Sequence, residues 1–162
     1  MFLKDTLARQ CLRQVWKEVQ AEYPFEVIAF CLMPEHLHCM WRLPPEDVNY
    51  SRRWGLIKKR FSPLYIARGG QESPQSESRV KKREVGIWQR RFYEHQVRDE
   101  EDLKNYIAYT HYNPVKHGYA ESVFDWPWFT IHEYHRLGHY REFDWNAVDT
   151  LEMDRGIEYD IE

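Results

Sequence analysis

The chain has 162 residues, a formal net charge of −3 at pH 7 and an aromatic content of 16%. This length fits one domain, and so many aromatic residues exclude a chain that is disordered throughout. No apolar run reaches the roughly 18–20 residues of a membrane span, and no signal-peptide pattern opens the sequence, so we expect a cytoplasmic protein. Three cysteines are too few for a disulfide framework or a cysteine-rich zinc site.

The charge is distributed unevenly along the chain. Residues 50–98 hold thirteen Lys and Arg against four Asp and Glu, a net of +9, whereas residues 142–162 hold eight acidic residues and one Arg, a net of −7. A basic body with an acidic tail is typical of proteins that bind polyanions, and basic residues interleaved with aromatic ones suit single-stranded nucleic acid. A solvated helix face followed by a basic loop explains the same pattern equally well.

Hydrophobic periodicity places the elements of the first half. Apolar residues recurring every three to four positions predict a helix over 5–21. Two runs of strand length, 25–32 and 36–43, flank the turn Met33-Pro34-Glu35. These runs predict a β-hairpin directly after the first helix.

The second half is predicted to add two helices and one strand. The first of these helices covers 51–66, with an apolar stripe of Trp54, Ile57, Phe61 and Leu64, and Pro63 is expected to kink it or end it early. The second covers 100–112, and Pro114 is expected to end or restart it. Between them, 68–84 is rich in Gly, Ser and charge, which predicts a mobile loop, and 86–97 is predicted to be a strand. This order of elements favours an α+β fold with helices packed on an antiparallel sheet.

The triplet His36-Leu37-His38 lies in the second predicted strand. Because side chains alternate along a strand, both imidazoles project from one face and Leu37 from the other. Two neighbouring imidazoles are a natural start for a divalent metal site, and a third ligand must come from elsewhere. The triplet alone is also compatible with two ordinary, half-exposed histidines.

The third predicted helix carries a second chemical pattern. Tyr109 and Asn113 are four residues apart and therefore share one helical face. Tyrosine is a weak nucleophile at neutral pH because its pKa is about 10, but it can attack a phosphodiester when a cation sits on the phosphate. Tyr106 and Tyr112 are rival nucleophiles that spacing alone does not exclude.

Three blocks of the sequence resemble one family when they are taken together and in order. They are MPEHLHCMW (33–41), GIWQRRFYEHQVRDEEDL (86–103) and YTHYNPVKHGYAESVFDWPWFTIHEY (109–134). They are similar to the REP-associated tyrosine transposases, which are IS200-like members of the HUH single-stranded DNA endonucleases. The resemblance covers about 5–140.

The resemblance implies a fold and a domain organisation. The fold would be ferredoxin-like, within the α+β class, and the transposase domain would cover 1–141. The acidic tail over 142–162 departs from the family pattern, and its charge predicts disorder. Family members usually carry a strand before the first helix. This sequence opens with Met1-Phe2-Leu3-Lys4 close to that helix, so we expect the usual first strand to be lacking.

The resemblance also implies a chemistry. Tyr109 matches the family's nucleophile, and His36, His38 and Asn113 match its metal-ligand positions, with Mg²⁺ or Mn²⁺ as the cofactor. The family nicks and rejoins single-stranded DNA beside palindromic hairpin repeats, through a 5′-phosphotyrosine and a free 3′-OH. The resemblance further implies that the partner is single-stranded or hairpin DNA and that there is no membrane partner. It also implies a monomer or homodimer that associates with the nucleoid.

The basic clusters supply candidate DNA contacts. Exposure to solvent without any contact is the alternative for about half of them. The candidates are Arg52, Arg53, Lys58, Lys59, Arg60, Lys82, Arg83, Arg90 and Arg91.

Two other functions stay open. The first is a catalytically silent hairpin-DNA-binding protein derived from such a transposase, because the missing strand would spoil the site. The second is a zinc hydrolase built on His36 and His38, which lacks a further His or Asp at a close interval. His111 and His117 are expected to point away from that pair.

Overall fold

The computed structural model describes residues 5–71, 87–88, 91–140, 143–149 and 157–160. Its α-helices are α1 (Thr6–Glu22), α2 (Tyr50–Ala67), α3 (Glu100–Lys116), α4 (Ile131–Arg136) and α5 (Trp145–Asp149), with a 3₁₀ turn at Val123–Asp125. Its strands are β1 (Glu26–Leu32), β2 (Leu37–Arg42), β3 (Arg91–Glu94) and β4 (Ile157–Asp160). β1 pairs with β2 and β3 pairs with β4. The predicted α+β class is confirmed.

The chain divides into two compact units that are interleaved along the sequence. The first comprises residues 1–26, 43–92 and 160–162, and the second comprises residues 27–42 and 93–159. The domain boundary predicted at residue 141 is not tested by this division and stays a prediction.

The first unit is built on the packing of α1 against α2. α1 begins at an N-cap, Asp5, whose side chain accepts from the Leu7 N–H at 3.0 Å. Its buried residues recur every three to four positions, which gives the predicted apolar face: Ala8, Cys11, Leu12, Val15 and Val19.

The buried face of α2 follows a strict four-residue spacing. Arg53, Ile57, Phe61 and Tyr65 are at most 4% exposed, so the face is rotated from the predicted one, which placed Trp54 and Leu64 in the stripe. The Tyr65 hydroxyl donates to Asp5 Oδ2 at 3.0 Å and so ties α2 to the start of α1.

The second unit contains the predicted hairpin and an additional backbone pairing. The Leu32 N–H donates to the Trp128 carbonyl at 2.9 Å, and the Thr130 N–H donates to the Phe30 carbonyl at 3.0 Å. The segment 128–130 thus runs antiparallel to β1, through an isolated bridge between residues 31 and 129. Trp126 and Cys31 belong to one cluster of buried core residues.

Three expectations about individual elements are corrected. Neither proline ends its helix, since α2 continues through Pro63 and α3 continues through Pro114 to Lys116. The tail expected to be disordered forms α5 and β4 in its described residues.

Most of the predicted loop over 68–84 lies outside the described residues, which stop at 71 and resume at 87. Within the described part of the chain, no helix is both long and apolar enough to cross a membrane.

Candidate functional site

The tip of the β1–β2 hairpin brings two imidazoles together. The Met33 N–H donates to the His36 carbonyl at 2.9 Å, which closes the turn directly before β2. His36 and His38 then lie on the same side, with their Nε2 atoms 3.0 Å apart and their ring centroids 4.9 Å apart. The predicted juxtaposition of these two side chains is present.

Burial favours the neutral form of both imidazoles. Burial, with smaller contributions from His36 and His117, lowers the pKa of His38 to about 3. Burial also lowers the pKa of His36, helped by the nearby His117 and opposed by Glu35. A neutral imidazole keeps a nitrogen lone pair, which is what a metal ligand requires.

α3 places the tyrosine against this pair. The helix begins at Asp99, whose side chain accepts from the Asp102 N–H at 2.8 Å, and its first turn is acidic, as the helix dipole favours. Nine residues after its start, the partly buried ring of Tyr109 lies edge-on to His38, with centroids 6.1 Å apart. Thus α3 sets the nucleophile candidate beside the hairpin tip.

Asn113 lies one turn further along α3 and is fully buried. Its Nδ2 donates to the Tyr109 carbonyl at 2.7 Å, which fixes the orientation of the amide. Its Oδ1 is buried without a hydrogen-bond partner among the described residues. A buried carbonyl oxygen without a partner is available to an ion or water that reaches it.

The two imidazole nitrogens have the separation expected of adjacent ligands of a divalent cation. Two adjacent ligands with bonds of about 2.1 Å at a right angle are separated by about 3.0 Å, and the two Nε2 atoms are 3.0 Å apart. No group of three His, Cys, Asp or Glu in the described ranges could hold a metal ion, so a site here needs the amide oxygen as its third protein ligand.

The hairpin tip is also tied to the segment that follows α3. The Tyr119 hydroxyl donates to Glu35 Oε1 at 2.7 Å, and this hydrogen bond raises the pKa of the Tyr119 phenol. His117, the C-cap residue of α3, lies with its ring centroid 5.5 Å from that of His36. The expectation that His117 points away from the pair is therefore wrong.

The other aromatic and imidazole candidates on α3 have different neighbours. Tyr106 stacks on His95 with centroids 4.1 Å apart, and Tyr112 stacks on Trp145 at 6.4 Å. His111 is fully buried, and its two nitrogens lie 2.8 Å from Thr130 Oγ1 and 3.1 Å from the Tyr140 hydroxyl. As expected, His111 points away from the hairpin tip.

Arg53 corrects the predicted set of DNA contacts. It is 2% exposed and forms a salt bridge of 2.7 Å with Asp47. Its guanidinium also donates to the backbone carbonyls of Tyr23, Pro24 and Asn49. All five of its N–H donors are used, so Arg53 is a structural residue and not a phosphate contact.

The remaining basic candidates on α2 differ in their surroundings. Lys59 and Arg52 are exposed, and Arg52 donates to the Tyr23 hydroxyl at 2.7 Å. Arg60 forms a two-point pair with Glu22 at 2.5 and 2.7 Å. Lys58 lies 5.9 Å from the ring centroid of Trp88. These four stay predicted DNA contacts.

The other basic candidates cannot be placed in the site. Lys82, Arg83 and Arg90 lie outside the described residues, and Arg91 is described only as part of β3.

Sequence reasoning missed three neighbours of the site. Tyr119 and His117 follow the third helix and carry no periodic signal. Lys116 could have been found, because it lies seven residues, or two helical turns, after Tyr109. Its Nζ lies 4.8 Å from the centroid of the Tyr109 ring.

Comparison with known proteins identifies the family. The family described as "Transposase IS200 like" matches residues 2–110. A Haemophilus influenzae protein provisionally named a REP-associated tyrosine transposase is 42% identical over 145 residues, covering 90% of this chain and 80% of the relative. The REP-associated tyrosine transposase of Escherichia coli K12 is 36% identical, covering 93% and 80% respectively.

A solved structure leads to the same family. It is that of a REP-associated tyrosine transposase bound to a REP hairpin, with a TM-score of 0.71, 34% identity, and coverage of 94% of this chain and 81% of the other. The chain therefore belongs to the IS200-like transposase family. The resemblance to REP-associated tyrosine transposases inferred from the sequence is confirmed.

Proposed function

We propose that this protein nicks and rejoins single-stranded DNA beside palindromic hairpin repeats, using Tyr109 as the nucleophile and Mg²⁺ or Mn²⁺ as the cofactor. The observation that carries the proposal is the position of Tyr109. Its ring centroid lies 6.1 Å from the ring centroid of His38, and the Nε2 atoms of His38 and His36 are 3.0 Å apart. The family relationship supports a transposase, and the related structure bound to a REP hairpin supports hairpin DNA as the partner.

His36, His38 and Asn113 are the residues that would hold the cation. Their donor atoms are two neutral imidazole nitrogens and one orphaned amide oxygen. When bound, Mg²⁺ or Mn²⁺ offsets the negative charge that develops on the phosphate oxygens. A set without any carboxylate binds such hard cations weakly, so a DNA phosphate is expected to complete the site.

Tyr109 carries out the covalent step in this proposal. Its phenol oxygen forms a bond to the phosphorus and loses its proton to solvent, while the bond from phosphorus to the 3′ oxygen breaks and that oxygen takes up a proton. The products are a 5′-phosphotyrosine and a free 3′-OH. Attack by a 3′-OH on the same phosphorus reverses the step and rejoins a strand without an external energy source.

The test is formation of a covalent adduct. The full chain is incubated with Mn²⁺ or Mg²⁺ and labelled single strands that carry hairpins from the flanks of its own gene, and the products are separated on a denaturing gel. We expect an adduct that disappears in Tyr109→Phe and in EDTA. The matched controls Tyr106→Phe and Tyr112→Phe, on the same helix, should keep it.

The outcome also separates the proposal from its main rival. Hairpin binding without an adduct under any metal condition, by a chain whose folding has been verified, would support the catalytically silent DNA-binding protein. An adduct that survives Tyr109→Phe but not Tyr106→Phe or Tyr112→Phe would assign the nucleophile to another tyrosine.

A further inference from the structure

Lys116 occupies an unusual position for a surface lysine. It is the last residue of α3, it is exposed, and its Nζ lies 4.8 Å from the ring centroid of Tyr109. The seven-residue spacing returns to the same helical face after two turns, which places both side chains together. The ammonium is therefore held directly beside the candidate nucleophile.

Lys116 also differs from other cations of the second unit in its electrostatic surroundings. Lys104 pairs with Glu100 at 2.7 Å, Arg98 pairs with Asp102 at 3.2 Å, and Arg136 pairs with Glu133. Within the described part of the chain, Lys116 has no carboxylate partner; its contact is the face of the tyrosine ring.

The helix dipole accounts for only part of this arrangement. A cation in the last turn of a helix is favourable, which explains a lysine at this position in the sequence. It does not explain why the side chain lies against Tyr109. An ammonium with three donors and no carboxylate partner among the described residues is a suitable ligand for a phosphate group.

We propose that Lys116 binds a phosphate of the DNA strand that lies at Tyr109. This inference rests on the proposed function, because it takes the Tyr109 site to be where the strand is held. Lys116 would then be a DNA contact outside the basic clusters at 50–98, contributed by the same helix as the nucleophile. Its role is to hold the strand at the reacting residue.

The test is the salt dependence of DNA binding, because it counts phosphate contacts without requiring activity. Binding of the full chain to a labelled hairpin oligonucleotide with single-stranded flanks is measured in EDTA over a series of KCl concentrations. We expect Lys116→Met to reduce the slope of log Kd against log salt by about 0.7–0.9, the contribution of one phosphate contact. Lys116→Arg should retain the wild-type slope.

Lys104→Met is the matched control, because it removes an exposed lysine from the same helix and changes the net charge equally. It should leave the slope unchanged. A wild-type slope in Lys116→Met overturns the proposal, as does an equal loss in Lys104→Met. Circular dichroism spectra and unfolding midpoints of both variants check that the fold is intact.

The same proteins distinguish this proposal from the proposed function. Suppose that the wild-type chain forms no adduct with Mn²⁺, but that Lys116→Met reduces the slope of log Kd against log salt as expected. The phosphate contact then stands and the proposed nicking activity fails. If the adduct forms and the slope does not change, the activity stands and the role of Lys116 fails. A wild-type chain that binds no hairpin at any salt concentration overturns both.

Discussion

Arg53 in the first compact unit and Asn113 in the second are both almost completely buried, at 2% and 0% exposed, yet their hydrogen bonding is opposite. Every donor of Arg53 has an acceptor in the protein. Asn113 uses its amide nitrogen, whereas its oxygen has no partner among the described residues. A satisfied buried group stabilises the fold, whereas an unpartnered one lowers stability and is available to a ligand. Of the two positions, only that of Asn113 has the features of a binding site.

The largest expected effect on stability comes from Arg53. Replacing it by Met leaves three backbone carbonyls and Asp47 without their donors, and we expect the free energy of unfolding to fall by about 3 kcal/mol. Urea denaturation measures this loss. The adjacent exposed residue provides the control, since Arg52→Met should cost much less; equal losses would show that Arg53 is not the structural residue we describe.

Asn113→Leu tests whether the buried amide of Asn113 serves binding and not stability. Because it removes an orphaned buried oxygen, we expect stability to stay the same or to rise by about 1 kcal/mol, while adduct formation falls at least roughly 100-fold, as when one electrostatic stabiliser is lost. Denaturation and the denaturing-gel assay measure the two effects on the same preparation. A large loss of stability would mean that the amide is structural.

Addition and removal of Mn²⁺ sharpen the assignment of the ligands. A cation that binds only the folded state stabilises it, by about 1 kcal/mol at several times its dissociation constant. We therefore expect millimolar MnCl₂ to raise the melting temperature of the wild-type chain when it is mixed with the hairpin oligonucleotide, whose phosphate would complete the site, and EDTA to reverse the rise. Asn113→Leu and His38→Ala should show no rise, and a rise that persists in both would place the cation elsewhere.

In the second unit, the carboxylate of Asp102 accepts hydrogen bonds from Arg98 and His95, and this cluster predicts a pH dependence of the stability of the fold. Hydrogen bonds from Arg98 and then His95 hold the pKa of this carboxyl well below its usual range. Since the folded pKa is depressed, the stabilisation is present above the unfolded pKa of about 3.9 and is lost as the pH falls further. Asp102→Asn should lower the melting temperature by several degrees at pH 7, and the two proteins should converge in strong acid. A difference that stays constant with pH would contradict this assignment.

The smallest effect is expected at a polar pair that faces solvent. Lys104 and Glu100 lie 2.7 Å apart and are 71% and 80% exposed. Exposed pairs at this helical spacing contribute little, and salt screens them. Glu100→Gln should leave unfolding, DNA binding and adduct formation within experimental error of the wild type, and a measurable change in any of them would show a role that geometry does not reveal.

Local sequence patterns predicted much of the fold and part of the site. Apolar spacing located α1, α2 and α3, the two strand-length runs located the hairpin, and the four-residue interval placed Tyr109 and Asn113 on one face. These are short-range relations, which a single sequence records. The rotation of the α2 face and the passage of both long helices through a proline depend on packing, so they were not predicted.

What the sequence did not reveal depends on residues that are distant along the chain. The pairing of 128–130 with β1 joins segments almost 100 residues apart and has no local signal. Arg53 directly follows the exposed Arg52 in the sequence, and it is buried because carbonyls at residues 23 and 24 accept its donors. Likewise, nothing next to His117 in the sequence indicates that it contacts His36.

The continuity of α3 has a consequence for how this protein can diverge. Tyr109, Asn113 and Lys116 share one uninterrupted helix, so their relative directions are fixed by residue count alone. Inserting or deleting one residue between Tyr109 and Lys116 would rotate everything beyond it by about 100° around the helix axis. Point substitutions on the outer face of α3 can accumulate without moving the site, whereas changes of length within this interval should be eliminated in any lineage that retains activity.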